Sequence, residues 1–159
     1  MRGDARSACG QHQEDPEDVK DNSLIYPMFA MVVLTFTTLV RLFRARIRFV
    51  REGAVSASYF KTYQEGTEPE ASAKLARHFV NLFEAPTLFY VACLAAIVSG
   101  QSSTLLTLLA WLYVALRCAH TYIHTGSNQL NHRIAAYFSS WAVLLLLWIC
   151  IVIGVARGG

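Results

Sequence analysis

Four long, almost uncharged runs separated by short polar joints constrain this chain more than any other feature of it. Inside a bilayer no water is present to satisfy backbone N–H and C=O groups, so a run of about 17–25 apolar residues crosses as a helix. The runs fall at about residues 24–40, 75–98, 104–125 and 131–156. The first is short, but Leu42 and Phe43 extend it while Arg41 and Arg44 snorkel toward the headgroups. Pro86 lies inside the second and is expected to kink it. With 54% of residues hydrophobic and 16% charged, the expected fold is an all-α membrane protein, a bundle of four transmembrane helices.

The expected organisation is an acidic tail over residues 1–23 and a helical domain over 24–157. The tail carries Asp4, Glu14, Asp15, Glu17, Asp18 and Asp21 and has the composition of a disordered segment. It lacks the basic start, apolar run and small-residue cleavage site of a secretory signal. A net charge of +3 without a basic, aromatic-interleaved patch argues against nucleic acid as a partner. Cys9, Cys93, Cys118 and Cys150 form no C-x-x-C pair, and packing is their default role.

The joint between the first two runs is the only sizeable loop expected. It holds Arg41, Arg44, Arg46, Arg48, Arg51, Lys61 and Lys74, whereas the joint at residues 100–103 holds no basic residue. The positive-inside rule then places the basic loop in the cytoplasm and both termini on the opposite side. The arginines serve as topological anchors, with a grip on an anionic ligand, by Arg48 and Arg51, as the other reading. Residues 65–70, with Pro69, read as a solvated turn.

Polar residues interrupt three of the runs. Arg77, Asn81 and Glu84 are spaced four and three apart, Arg117, His120 and His124 three and four apart, and Arg133 and Tyr137 four apart. Each set makes a stripe on one helix face. In an up-and-down bundle Glu84 lies roughly 14 Å and Arg117 roughly 12 Å from the same membrane surface, at 1.5 Å rise per residue. Arg133 and Tyr137 fall in the first two turns of the fourth helix, again near that surface. A charge within a span costs roughly 2.5–3.5 kcal/mol on insertion scales, so such residues face protein or a wet crevice and usually mark a working site.

Taken singly these groups have plain structural readings. An Arg–Glu pair joins helices, Asn81 makes an interhelical hydrogen bond, and a lone histidine such as His120 packs. Their convergence does not reduce to that, because the carboxylate of Glu84 stands among Arg77, Arg117 and Arg133. A surplus of guanidinium calls for an anionic ligand bearing carboxylates or a thiolate. A metal site on His120, His124 and His132 has good ligand spacing for the first two but is opposed by the surrounding arginines, and no metal is expected. A proton or solute carrier would need polar groups through the full span, and only one leaflet is decorated.

The segment Arg77-His-Phe-Val-Asn81-Leu-Phe-Glu84 resembles the second-helix signature of the membrane-associated proteins in eicosanoid and glutathione metabolism, the MAPEG family. Arg117-Cys-Ala-His120 resembles that family's third-helix Arg-x-x-His motif, and Arg133 with Tyr137 resembles its fourth-helix arginine and tyrosine. The likeness extends over about residues 24–156, and residues 120–132 look most like small bacterial members. What the resemblance implies is a four-helix protomer forming a homotrimer, with glutathione bound between neighbouring subunits near the cytoplasmic surface. Arg77, Asn81, Glu84, Arg117 and His120 would then hold glutathione, Tyr137 would contact the tripeptide, and Arg133 would stabilise the thiolate. Val80, His124 and Ile134 depart from residues common in the better-known transferases and synthases.

The implied function is that of an integral membrane glutathione-dependent transferase or peroxidase acting on lipophilic electrophiles, in a bacterial inner membrane. The implied partners are glutathione as co-substrate, a lipophilic small molecule, membrane lipid and two further copies of the chain. The alternative is a non-catalytic module of the same architecture that binds an anionic lipid or peptide headgroup.

Overall fold

A computed structural model of the chain describes residues 22–63, 66–126 and 129–158. Residues 1–21 of the expected tail lie outside the described residues, as do Glu65 of the expected turn and Ser127 and Asn128 after the third run. Six helices follow in order: α1 (Ile25–Arg51), α2 (Tyr59–Thr62), α3 (Glu70–Asn81), α4 (Ala85–Val98), α5 (Thr104–Thr125) and α6 (Leu130–Gly158). Among the described residues there is no strand. Four segments are long and apolar enough to cross a membrane: Ile25–Arg51, Glu70–Val98, Thr104–Thr125 and Leu130–Gly158.

α1 runs further than expected, and the basic residues assigned to a loop are helical. Arg41, Arg44, Arg46, Arg48 and Arg51 all lie on α1, Lys61 on α2 and Lys74 on α3. Arginine is a good helix former, and beyond Pro27 no glycine or proline interrupts the run before Gly53. There the chain turns left-handed (φ +72°) and Ala54 N–H donates back to the Phe49 carbonyl at 3.0 Å, a Schellman-type stop. At 1.5 Å per residue the helix is about 40 Å long, the thickness of a bilayer with its headgroups.

The turn before α3 is exposed at Gly66, Thr67 and Glu70, as expected, but Glu68 is tucked in. Glu68 pairs with Arg46 at 3.1 Å, with only 11% of its side chain exposed, and accepts the Ser72 hydroxyl at 2.5 Å. Arg46 also lies 4.9 Å from the Phe60 ring centroid and 5.7 Å from that of Tyr63, so its guanidinium is stacked as well as paired. This ties α1 to the start of α3.

The second span is interrupted just before Pro86, where the kink is expected. α3 ends at Asn81, residues 82–84 form a turn, and α4 begins at Ala85. Pro86 has no N–H to offer the Leu82 carbonyl, and its ring cannot sit against that carbonyl in a continuous helix. Thr87 restores part of the ladder: its hydroxyl donates to the Phe83 carbonyl at 2.6 Å and its N–H to the Glu84 carbonyl at 3.2 Å.

The third span matches its expected limits. Ser103 caps α5 by accepting from Leu106 N–H at 3.3 Å. The buried core lies between Met31 of α1, Phe89, Ala92, Cys93 and Ala96 of α4, Ala110 and Tyr113 of α5, and Leu144 and Leu147 of α6. The alanines let the helix backbones approach closely. Phe89 and Tyr113 stack with centroids 4.5 Å apart and planes 14° apart. Phe29, Phe36, Leu108, Leu145 and Val152 point outward, an apolar coat that suits acyl chains and not water.

Candidate functional site

The polar stripes meet at the end of the bundle where α5 gives way to α6. A cleft of about 490 Å³ opens there, within the usual range for a small-molecule site. α3 contributes Arg77, Val80 and Asn81, α5 contributes His120 and His124, and α6 contributes Arg133, Ile134, Tyr137 and Phe138. Two arginines face this space, and none of the residues lining it is acidic. The chemistry on offer is therefore that of an anion receptor: two guanidinium forks, an amide and a phenol, beside an apolar wall.

Two of the expected site residues stand elsewhere. Glu84 does not continue the stripe of Arg77 and Asn81, because the helix has ended; it is exposed in the turn and does not line the cleft. Arg117 is wholly enclosed and does not line the cleft either. Its Nη2 donates to the main-chain carbonyl of Asn81 at 2.9 Å. In an unbroken helix the N–H of Ala85 would take that carbonyl. The break frees the carbonyl, and the arginine of the neighbouring helix occupies it. Arg117 Nε and Nη1 have no hydrogen-bond partner among the described residues.

The histidines form a group that sequence reasoning only half saw. His120 and His124 were singled out; His78, fully buried behind Arg77, was not. Its Nε2 lies 2.9 Å from the Thr121 hydroxyl, which itself donates to the Arg117 carbonyl at 2.8 Å, so His78 Nε2–H is the donor in the first bond. The ring centroids are 5.6 Å apart for His78 and His120, 5.0 Å for His78 and His124, and 5.6 Å for His120 and His124. The available signal was one of adjacency: His78 follows Arg77 and Thr121 follows His120, a second polar face beside each motif. Pairing those faces requires knowing that α3 packs on α5.

His120 also reaches α6. Its Nδ1 is 3.3 Å from the Arg133 carbonyl, and its ring centroid is 5.7 Å from that of Tyr137. Among the described residues no group of three His, Cys, Asp or Glu side chains is arranged to hold a metal ion. His132 is exposed and does not line the cleft.

A model of the MAPEG family matches residues 24–153 of the chain. No curated protein and no solved structure matches it.

Proposed function

Since the chain belongs to the MAPEG family, a family of membrane proteins in glutathione-related metabolism, we propose that it is a multi-pass glutathione-dependent transferase or peroxidase acting on lipophilic electrophiles. The observation that carries this reading is the cleft in which Arg77 and Arg133 face one space whose lining residues include no acid. A tripeptide with two carboxylates and an ionisable thiol supplies the missing negative charge.

In this reading Arg77 takes a carboxylate of glutathione, the Asn81 amide and the Tyr137 hydroxyl hydrogen-bond its backbone, and Arg133 faces the sulfur. A free thiol is mostly protonated at neutral pH, and the thiolate is the nucleophile. A fixed guanidinium favours the anion and so lowers the thiol pKa of the bound ligand. The proton leaves to solvent. The thiolate lone pair then forms a C–S bond with an electrophilic carbon as the leaving group departs with its electron pair. With a hydroperoxide the sulfur attacks the terminal oxygen, the O–O bond breaks and the alkoxide leaves to be protonated as the alcohol, and a second glutathione thiol displaces water from the sulfenic acid to give the disulfide. Val80, Ile134 and Phe138 give the apolar side of the cleft, where a lipid-soluble co-substrate would enter from the bilayer.

Arg117 holds the site together rather than the ligand, through the Asn81 carbonyl. Glu84, exposed at the helix break, is available to a neighbouring copy in a homotrimer with the ligand between subunits. The arginine-rich end of α1 faces the cytoplasm of a bacterial inner membrane, with both termini opposite. A second reading, a module that binds an anionic lipid or peptide headgroup without catalysis, draws on the apolar Val80 and Ile134 beside the arginines. Conjugation of glutathione to a chromogenic electrophile by purified protein, lost in Arg133→Ala, is the test. Equal turnover in that variant would remove Arg133 from the mechanism, and thiolate-free binding in the wild type would favour the second reading.

A further inference from the structure

The cleft-facing end of α6 is less enclosed than its middle. None of residues 130–139, which include Arg133 and Tyr137, is buried; the first buried side chain of α6 is Ser140. Its position is set by contacts across to α5, against which α6 packs. A guanidinium that must meet a sulfur at hydrogen-bond distance tolerates little displacement, because misplacement by about 1 Å can cost a hundredfold in rate.

His120 reaches from α5 across to this end. It is 2% exposed, and its ring is hemmed in by His78 and His124 at centroid distances of 5.6 Å each and by Tyr137 at 5.7 Å. A carbonyl only accepts, so the 3.3 Å contact with the Arg133 carbonyl requires the imidazole hydrogen to be on Nδ1. In the neutral ring Nε2 is then a bare acceptor, and it is buried with no hydrogen-bond partner among the described residues. The N–H of His120 is thus committed to the backbone of Arg133 and is not presented to the cleft.

We propose that His120 is a positioning residue, which sets Arg133 against the sulfur of bound glutathione through the Arg133 backbone carbonyl. This rests on the glutathione reading of the cleft. It differs from a role in gripping the tripeptide, because the group acted on is α6 and not the ligand.

The geometry distinguishes two amide replacements. The Asn side-chain amide places an N–H near the position of Nδ1, while that of Gln places it nearer Nε2. His120→Leu, His120→Asn and His120→Gln are compared with wild type for glutathione affinity by calorimetry, for bound thiolate by its ultraviolet absorbance across pH, and for Tm. In His120→Leu the midpoint for thiolate formation is expected to rise by about one pH unit, while affinity for S-methylglutathione, which has no thiol to ionise, stays within about threefold of wild type by the same calorimetry. His120→Asn restores the midpoint and His120→Gln does not. Should Leu prevent folding, the contrast between Asn and Gln decides alone. The proposal is overturned by an unmoved midpoint in Leu, by equal behaviour of Asn and Gln, or by a tenfold loss of affinity for S-methylglutathione in Leu. A wild-type protein that binds no glutathione overturns the reading of the cleft itself, a failure visible before any variant is made.

Discussion

Arg117 Nη2 donates to the main-chain carbonyl of Asn81 at 2.9 Å, joining the middle of the third span to the point where the second one breaks. The relationship explains two features together. The helical ladder of the second span stops at residues 82–84, just before Pro86, and the Asn81 carbonyl, which Ala85 N–H would take in a continuous helix, accepts from a guanidinium. The turn that results is fixed, and with it the position of Asn81 at the cleft.

Removing that guanidinium therefore acts on the fold before it acts on chemistry. Arg117→Leu removes the donor to the half-buried Asn81 carbonyl, and a hydrogen bond from a charged donor contributes about 1.5–3 kcal/mol. A lowered Tm in detergent is expected, and any loss of glutathione binding tracks that loss of structure. Arg117→Leu with an unchanged Tm would contradict the assignment.

Arg77→Ala is expected to behave differently. The side chain is exposed at the cleft, so Tm stays within a degree or so of wild type, while glutathione affinity falls about tenfold or more, as loss of one charged hydrogen bond implies. Calorimetric titration with glutathione and with a derivative esterified at its carboxylates checks the assignment. If Arg77 meets a carboxylate, the ester binds wild type weakly and the variant loses little further on esterification.

Stacking of Phe89 on Tyr113 at 4.5 Å places an aromatic pair at the centre of the core, both rings fully buried. Phe89→Ala is expected to cost about 3–5 kcal/mol, the usual range for an emptied aromatic site. Denaturation in a fixed detergent reads it, and a small change would mean that the neighbouring helices close over the gap. Phe89→Leu, nearer in volume, is expected to recover most of the loss.

How much of this was legible beforehand depends on which contacts were local. The limits of α5 follow from composition and from Ser103 and Gly126 at its ends, and the structure reproduces them. The stripe of Arg77 and Asn81, and that of His120 and His124, depend only on helical spacing, and both reach the cleft. Glu84 leaves the stripe because helical spacing assumes a continuous helix, and the turn over residues 82–84 interrupts it. The bond of Arg117 to the Asn81 carbonyl is not legible in the sequence, because nothing there shows that a main-chain carbonyl three residues before Glu84 is open. The helical arginines of α1 were assigned to a loop because charge was weighed above helix propensity.

The pairing of Arg46 with Glu68 offers a control that lies outside the cleft. Arg46 is also stacked on Phe60, so Glu68→Gln removes the charge but keeps the stacking and a hydrogen-bond acceptor. A loss of about 1 kcal/mol or less is expected for a partly exposed pair of this kind, with glutathione affinity unchanged. A large fall in affinity would show that the α1–α3 junction shapes the cleft.

The most direct measurement of the central claim is the ultraviolet thiolate absorbance of glutathione bound to detergent-purified protein at neutral pH, in wild type and in Arg133→Ala. The account predicts thiolate in the wild type and its loss in the variant, with the tripeptide still bound to both. Thiolate of equal intensity in the two proteins, or a wild-type complex that holds only the protonated thiol, would contradict it.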